Sequence, residues 1–311
     1  MGWVRIPDGL EEQRGLGPDW GAWLDRLPAL ADELVEEWGL RRDGPALHGY
    51  TSLVVPVRDR EGERVVLKVT FDGDDESAHE ALALQTWGGD GAVRLIRADP
   101  RRRALLLERL GEQDLSDLWD VEACELVAGF YRRLHVPSPG RLRLLTEYVE
   151  HWADDLAALG SAVPLPRRYI DQALSLARDL VADPASTGVL IHGDLHYGNV
   201  LAAERDPWLV IDPKPMSGDP HYEPAPMLWN RMEELEAPTA VESVRDGVRR
   251  RFHTLVDVAE LDEERARDWV IVRMVLNAGW AVQDARRADR ELSAQERRWI
   301  TRCLTLVKAV Q

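Results

Sequence analysis

Lysine is almost missing from this chain of 311 residues: Lys68, Lys214 and Lys308 stand against 36 arginines. Where a positive charge is merely useful Arg supplies it, so each Lys raises the question of what an arginine fork cannot do there. Cysteine is nearly as scarce. Cys124 and Cys303 have no metal-ligand spacing, and a lone bridge would be weak grounds for secretion, so reduced thiols and a cytoplasmic location are expected. No apolar run approaches the roughly 18–20 residues of a membrane span. The opening "MGWVRIPDGLEEQ" lacks the basic start and apolar stretch of a signal peptide. Basic charge is also deficient: the formal net charge of −16 argues against a nucleic-acid partner, whose phosphates demand a basic face. An acidic surface permits a cationic ligand, although by itself it indicates no more than solubility.

What remains is 45% hydrophobic and 30% charged, a chain long enough for two lobes with substantial cores. There is no internal repeat or low-complexity tract. "SLVVPV" and "RVVLKV" flank the charged turn "RDREGE", a hairpin signal over Leu53–Val69. "DESAHEALALQTW" has helical spacing and stops at Gly88-Gly89. "AVRLIRADPRRRALLLERL" then gives strand, turn and strand. Up to about Leu110 the expected order is strand, strand, helix, strand, strand. Beyond Gly111 helix dominates: "SDLWDVEACELVAGFYRRLHVP", residues 145–159, "YIDQALSLARDLVAD", and nearly everything after Met227. Two short apolar strand-like pieces interrupt this run around residues 190–212. The fold class is therefore α+β, a small β-rich lobe followed by a larger, mainly helical one.

Between the helices lies "LIHGDLHYGNVL", which packs His192, Asp194, His196 and Asn199 into eight residues. A two-metal phosphoesterase site needs later His and Asn ligand clusters, and downstream only His221 and His253 remain, without suitable partners. Nucleophilic catalysis finds no Gly-x-Ser-x-Gly elbow and no distinctive cysteine. The third reading fits. His-x-Asp-x-x-x-x-Asn is the spacing of a kinase catalytic loop, in which the Asp accepts the proton of the attacking hydroxyl and the Asn coordinates Mg²⁺. A second metal-binding Asp is expected after a short hairpin, and Asp212 ends the apolar strand "LVI". The lysine expected on the third strand of the small lobe is Lys68, the only lysine in the first 213 residues, and its anchoring carboxylate on the next helix is Glu80. Each has a plain structural explanation alone; their order and spacing together point to phosphoryl transfer.

At these residues the sequence resembles the aminoglycoside phosphotransferase branch of the protein-kinase-like fold. "HGDLHYGNV" with "IDPKP…GDP" is similar to that branch's loops. "PDGL", "SLVVPV", "TWGGDGAVRLI", "ALLLERL", "NVLAAERDPWLVIDP" and Asn277-x-x-Trp280 resemble its streptomycin 6-kinase and hydroxyurea kinase subgroup. The resemblance implies a bilobal fold, a nucleotide-binding lobe over residues 1–110 and a catalytic and substrate-binding lobe over 111–311. It implies ATP between the lobes, with adenine against the backbone of Glu108–Leu110, Lys68 and Glu80 serving the α/β-phosphates, and Ser52 in the turn "LHGYTS" over the phosphates. Asn199 and Asp212 would hold Mg²⁺, Asp194 would be the catalytic base, and His192 and His196 would support the loop. The proline after Asp212 stiffens the metal-binding turn, so no activation-loop phosphorylation is expected.

For a cationic, hydroxyl-rich acceptor the candidate contacts are Glu223, Trp229 and Asn230, and one face of the last long helix with Asn277, Trp280 and Asp284 at spacings of three and four. Glu147, Glu150 and Asp154 read as a solvated face. A monomer with a small-molecule substrate is expected, binding neither nucleic acid nor membrane. The expected activity is ATP-dependent phosphorylation of a streptomycin-like aminoglycoside, conferring antibiotic resistance. The alternatives are a kinase of another small hydroxylated amine, sugar or hydroxyurea-like compound, or a nucleotide-binding pseudokinase.

Overall fold

A computed structural model describes residues 4–311; the first three positions of the stretch read above for a leader lie outside the described residues. The chain forms two compact units, one of residues up to Glu112 together with Leu201–Lys214, the other of Gln113–Val200 together with Pro215–Gln311. Residues 201–214 thus return to the first unit, a crossing that a single boundary near residue 110 does not include. Hydrogen bonds explain it. Gly111 N–H donates to the Ala202 carbonyl at 2.8 Å, and Val93 and Val210 are joined backbone to backbone at 2.9 Å. Arg205 reaches the Glu108 carboxylate and the carbonyls of Gly89 and Ala92.

The first unit is built on an antiparallel sheet in the order Arg41–Arg42, Ser52–Arg58, Arg64–Thr70, Ala104–Glu108, Leu95–Asp99, with Leu47–His48 also paired to Ser52–Arg58. The expected hairpin, helix and second hairpin are all there. The sequence reading does not include the 20-residue helix Pro18–Glu37. Pro18 sits at its first turn, where no amide hydrogen is needed, but Pro28 lies in its interior and masks the periodicity. That helix packs Trp23, Leu24, Leu27 and Leu34 against Leu53, Val55, Leu67 and Val69 of the sheet. Because strand side chains alternate, burying Leu67 and Val69 there turns Lys68 to the opposite face. The helix expected from Asp75 is split: Asp74 caps a short turn over Asp75–Ser77, and the α-helix runs Glu80–Trp87, ending where Gly88 takes φ +59°. Glu80 is its first residue.

The second unit holds six long helices: Asp120–Leu134, Leu145–Leu159, Arg167–Ala182, Val244–Ala259, Glu263–Arg287 and Ala294–Val310. The first begins later than expected, because Asp114 turns the preceding chain by capping Leu115–Asp117. It also ends at Leu134, since the residue before Pro137 prefers an extended backbone, and Val136–Pro137 pairs with Val189–Ile191 instead. Val189–Ile191 is the middle strand of three, with Met216–Gly218 on its other side. That small sheet leads directly into the loop beginning at His192. Glu263–Arg287 is buried along most of its length, and among the described residues no helix is long and apolar enough to cross a membrane.

Candidate active site

In the first unit Lys68, Glu80 and Asp212 meet. Lys68 Nζ donates to both Glu80 oxygens at 2.7 Å and to Asp212 Oδ1 at 2.6 Å. Lys68 and Glu80 are almost completely buried. Burial alone lowers a lysine pKa, but Asp212 and Glu80 outweigh it, and Lys68 stays charged well above the ordinary lysine range. Asp212 adopts φ +55°, a left-handed conformation that Asp tolerates better than most residues, and Pro213 fixes the chain after it. Ser52 is buried at the start of its strand, and its carbonyl accepts from Gly49 N–H at 2.9 Å. A side chain at Gly49 would start 2.9 Å from Ser52 Oγ and would have to displace that hydroxyl. Glu108 ends its strand with its carboxylate committed to Arg94 N–H and Arg205. Leu110, two residues on, is half-buried.

In the second unit the loop after Val189–Ile191 is held from several sides. Gly193 takes φ +80°. Asp194 N–H donates to His192 Nδ1 at 3.2 Å, Asn199 Nδ2 donates to the Asp194 carbonyl at 2.9 Å, and Gly198 N–H donates to His196 Nδ1. The Asp194 carboxylate itself keeps 31% of its side-chain surface exposed, with His196 Nε2 4.0 Å away. The backbone of the loop is thus fixed while its acid faces outward.

The expected substrate residues separate. Glu223 has no exposed surface, and its oxygens accept from His192 N–H at 2.5 Å and Gly193 N–H at 3.3 Å. It builds the loop and has no face for a ligand. Asn230 caps its own turn on the Pro226 carbonyl, and Trp229 lies under the Arg273 guanidinium at 4.8 Å. Asp284 is exposed and 4.0 Å from Arg287, a solvated position. Asn277 and Trp280 are different. Asn277 is buried, and its Oδ1 and the Trp280 Nε1 are buried polar atoms without a hydrogen-bond partner. Trp280 packs with Trp152 and Tyr148 of Leu145–Leu159, ring centroids 5.0 and 6.0 Å apart.

The family described as "Aminoglycoside/hydroxyurea antibiotic resistance kinase" matches residues 37–285. The streptomycin 6-kinase of Streptomyces glaucescens is 40% identical over 288 residues, covering 90% of this chain and 92% of that protein. The chain belongs to this family. As a member it is a small-molecule kinase. The hydroxyurea phosphotransferase of Kitasatospora aureofaciens is also 40% identical, over 88% of this chain and 79% of that one. The protein-kinase-like fold is shared with a spectinomycin phosphotransferase solved with ADP and spectinomycin, at a TM-score of 0.61 and 12% identity over 89% of this chain and 95% of that one.

Several residues around the loop that begins at His192 escape sequence reasoning. Arg273, on the helix Glu263–Arg287, donates to the Gly193 carbonyl at 2.5 Å. Arg251 and Tyr197 share Asp120, at 2.9 and 2.7 Å. Asp219 accepts from Trp269 Nε1 and Arg265 Nε. Burial tends to raise the pKa of Asp120, Asp219 and Glu223. It is outweighed by Arg251 at Asp120, by His221 at Asp219, and by His135 and the His192 amide at Glu223, so all three lie below the usual 3.8 and 4.5 of Asp and Glu. A lowered folded-state pKa stabilises above the unfolded value and is lost as pH falls through the folded one. Thermal midpoints should therefore hold steady down to about pH 5 and fall progressively below about pH 4. Calorimetry across that range checks this, and a midpoint that stays level through the acid range contradicts it.

Proposed function

We propose that this kinase transfers the γ-phosphoryl group of ATP to a hydroxyl of a cationic, streptomycin-like aminoglycoside in the cytoplasm, as a monomer, and so confers resistance. The contact of Lys68 with Glu80 and Asp212 is the observation that carries the transfer chemistry, because a buried, fully ionised lysine gripped by two acids is a built cation for polyphosphate. Lys68 binds the α/β-phosphates, with Glu80 orienting it. Ser52 and the Gly49 turn lie against the phosphates, and the Glu108–Leu110 backbone receives adenine. Asp194 accepts the acceptor's hydroxyl proton as that oxygen attacks the γ-phosphorus; the bond to the bridging oxygen breaks and ADP leaves. Asp212 and Asn199 offer the hard oxygen donors that Mg²⁺ takes, and they would hold the ion, which supplies charge neutralisation on the phosphates. His192 and His196 keep the loop in shape.

On the acceptor side, the Asn277 oxygen and the aromatic group of Trp280, Trp152 and Tyr148 suit a guanidino or ammonium group through a hydrogen bond and cation–π attraction. The equal identity to a hydroxyurea phosphotransferase favours a second reading, a small hydroxylated amine as acceptor. A coupled ADP-release assay over streptomycin, other aminoglycosides, hydroxyurea and simple amino alcohols separates them. We expect acceptor-dependent release, strongest with streptomycin. Release with hydroxyurea alone supports the second reading, and no acceptor dependence at all makes the protein a nucleotide-binding scaffold.

A further inference from the structure

Lys214 is one of the three lysines in a chain that otherwise uses arginine, and nothing above uses it. It belongs to the same unit as Lys68. Pro213 and Pro215 on either side restrict its backbone and so preset the direction of its side chain. Its Nζ donates to Ser77 Oγ at 2.7 Å and lies 3.4 Å from Asp212 Oδ1 and 3.7 Å from Asp74 Oδ2. Both lysines therefore reach one oxygen of Asp212, Lys68 from the Glu80 side and Lys214 from the Ser77 side.

The two differ in how far their donors are used. Lys68 has three short contacts, whereas Lys214 has one short hydrogen bond and two long contacts, with 15% of its side chain exposed. An ammonium carries three donors, so Lys214 keeps capacity for an added anion. Its anchor also extends to the turn expected over the phosphates. Ser77 Oγ and Thr51 Oγ1 both donate to Asp74 Oδ2 at 2.7 Å, and Thr51 lies within residues 47–52. A compact ammonium fits between a hydroxyl and two carboxylates where a planar guanidinium fork would not.

We infer that Lys214 is a second phosphate-binding lysine, which contacts the nucleotide's polyphosphate directly and, with Lys68, brackets Asp212. The inference rests on the phosphotransferase reading and assigns a further residue to its nucleotide site. The competing role is purely local: Lys214 only balances the Asp212 charge. The two differ when Mg²⁺ is present: losing a direct phosphate contact weakens ATP binding with and without metal, whereas losing a counter-ion exposes the Asp212 charge, which repels metal-free ATP but draws Mg²⁺ and so spares Mg·ATP.

Calorimetry of the parent, Lys214→Met and Ser77→Ala with ATP in EDTA, with ATP and Mg²⁺, and with adenosine tests this. A lost charge-assisted contact predicts about tenfold weaker ATP binding by Lys214→Met both in EDTA and with Mg²⁺, with adenosine affinity unchanged. Ser77→Ala keeps the ammonium but removes its anchor, and should show a smaller loss in the same sense. It also keeps the test usable if Lys214→Met does not fold. ATP affinity equal to the parent's in both variants overturns the inference, and so does a loss confined to EDTA or an equal loss for adenosine and ATP. A parent that binds no ATP under any condition overturns the phosphotransferase reading itself.

Discussion

Asp194→Ala should lower phosphate transfer by about a thousandfold or more while leaving ATP affinity at the parent's level. The size follows from the role of a base that must take the hydroxyl proton as the new P–O bond forms. The selectivity follows from the loop. The Asp194 amide is held by His192 Nδ1 and its carbonyl by Asn199, while Arg273 holds the neighbouring Gly193 carbonyl. Alanine keeps every one of these backbone contacts, so only the carboxylate is lost. Single-turnover kinetics and nucleotide titration measure the two quantities separately. Turnover within a few-fold of the parent would remove Asp194 from the chemistry, and a matching loss of ATP affinity would mean that the loop had collapsed.

Glu223→Ala should be the most damaging substitution outside the reacting groups. Its carboxylate is completely buried and satisfies the amides of His192 and Gly193, with His135 Nε2 3.6 Å away. Alanine leaves two buried donors unpaired and a cavity beside them, a loss of about 3 kcal/mol or more. That is a large part of the net stability of a typical domain. Glu223→Gln keeps the volume and one acceptor but turns an amide NH₂ toward a donor, so it should lose less. Urea unfolding followed by tryptophan fluorescence reads both variants. A Glu223→Ala midpoint equal to the parent's would show that the loop does not depend on this acid.

What the sequence discloses here follows from how local each signal is. Lys68, Glu80, Asp194, Asn199 and Asp212 stand out in the sequence because a phosphoryl-transfer reading asks for fixed residue types at fixed spacings, and the near absence of lysine singles out Lys68. The same scarcity marks Lys214, whose partners Ser77 and Asp74 lie more than 130 residues earlier and so are joined only by folding. Glu223 is visible as an acid near the loop, but only its burial shows that it points at backbone amides and not at a ligand. Arg273 and Arg251 cannot be picked from 36 arginines by any local pattern, because their function is a carbonyl or carboxylate brought close by tertiary structure. The helix Pro18–Glu37 is hidden for a different reason. Its interior Pro28 breaks the expected rule, and burial of the leucines and tryptophan around it outweighs the lost hydrogen bond.

In this kinase, phosphate should leave ATP for a hydroxyl of the acceptor. Mass spectrometry of streptomycin incubated with the protein, ATP and Mg²⁺ tests it most directly. A singly phosphorylated streptomycin should accumulate in step with ADP and be absent with Asp194→Ala; ADP released while streptomycin stays unmodified would rule this transfer out.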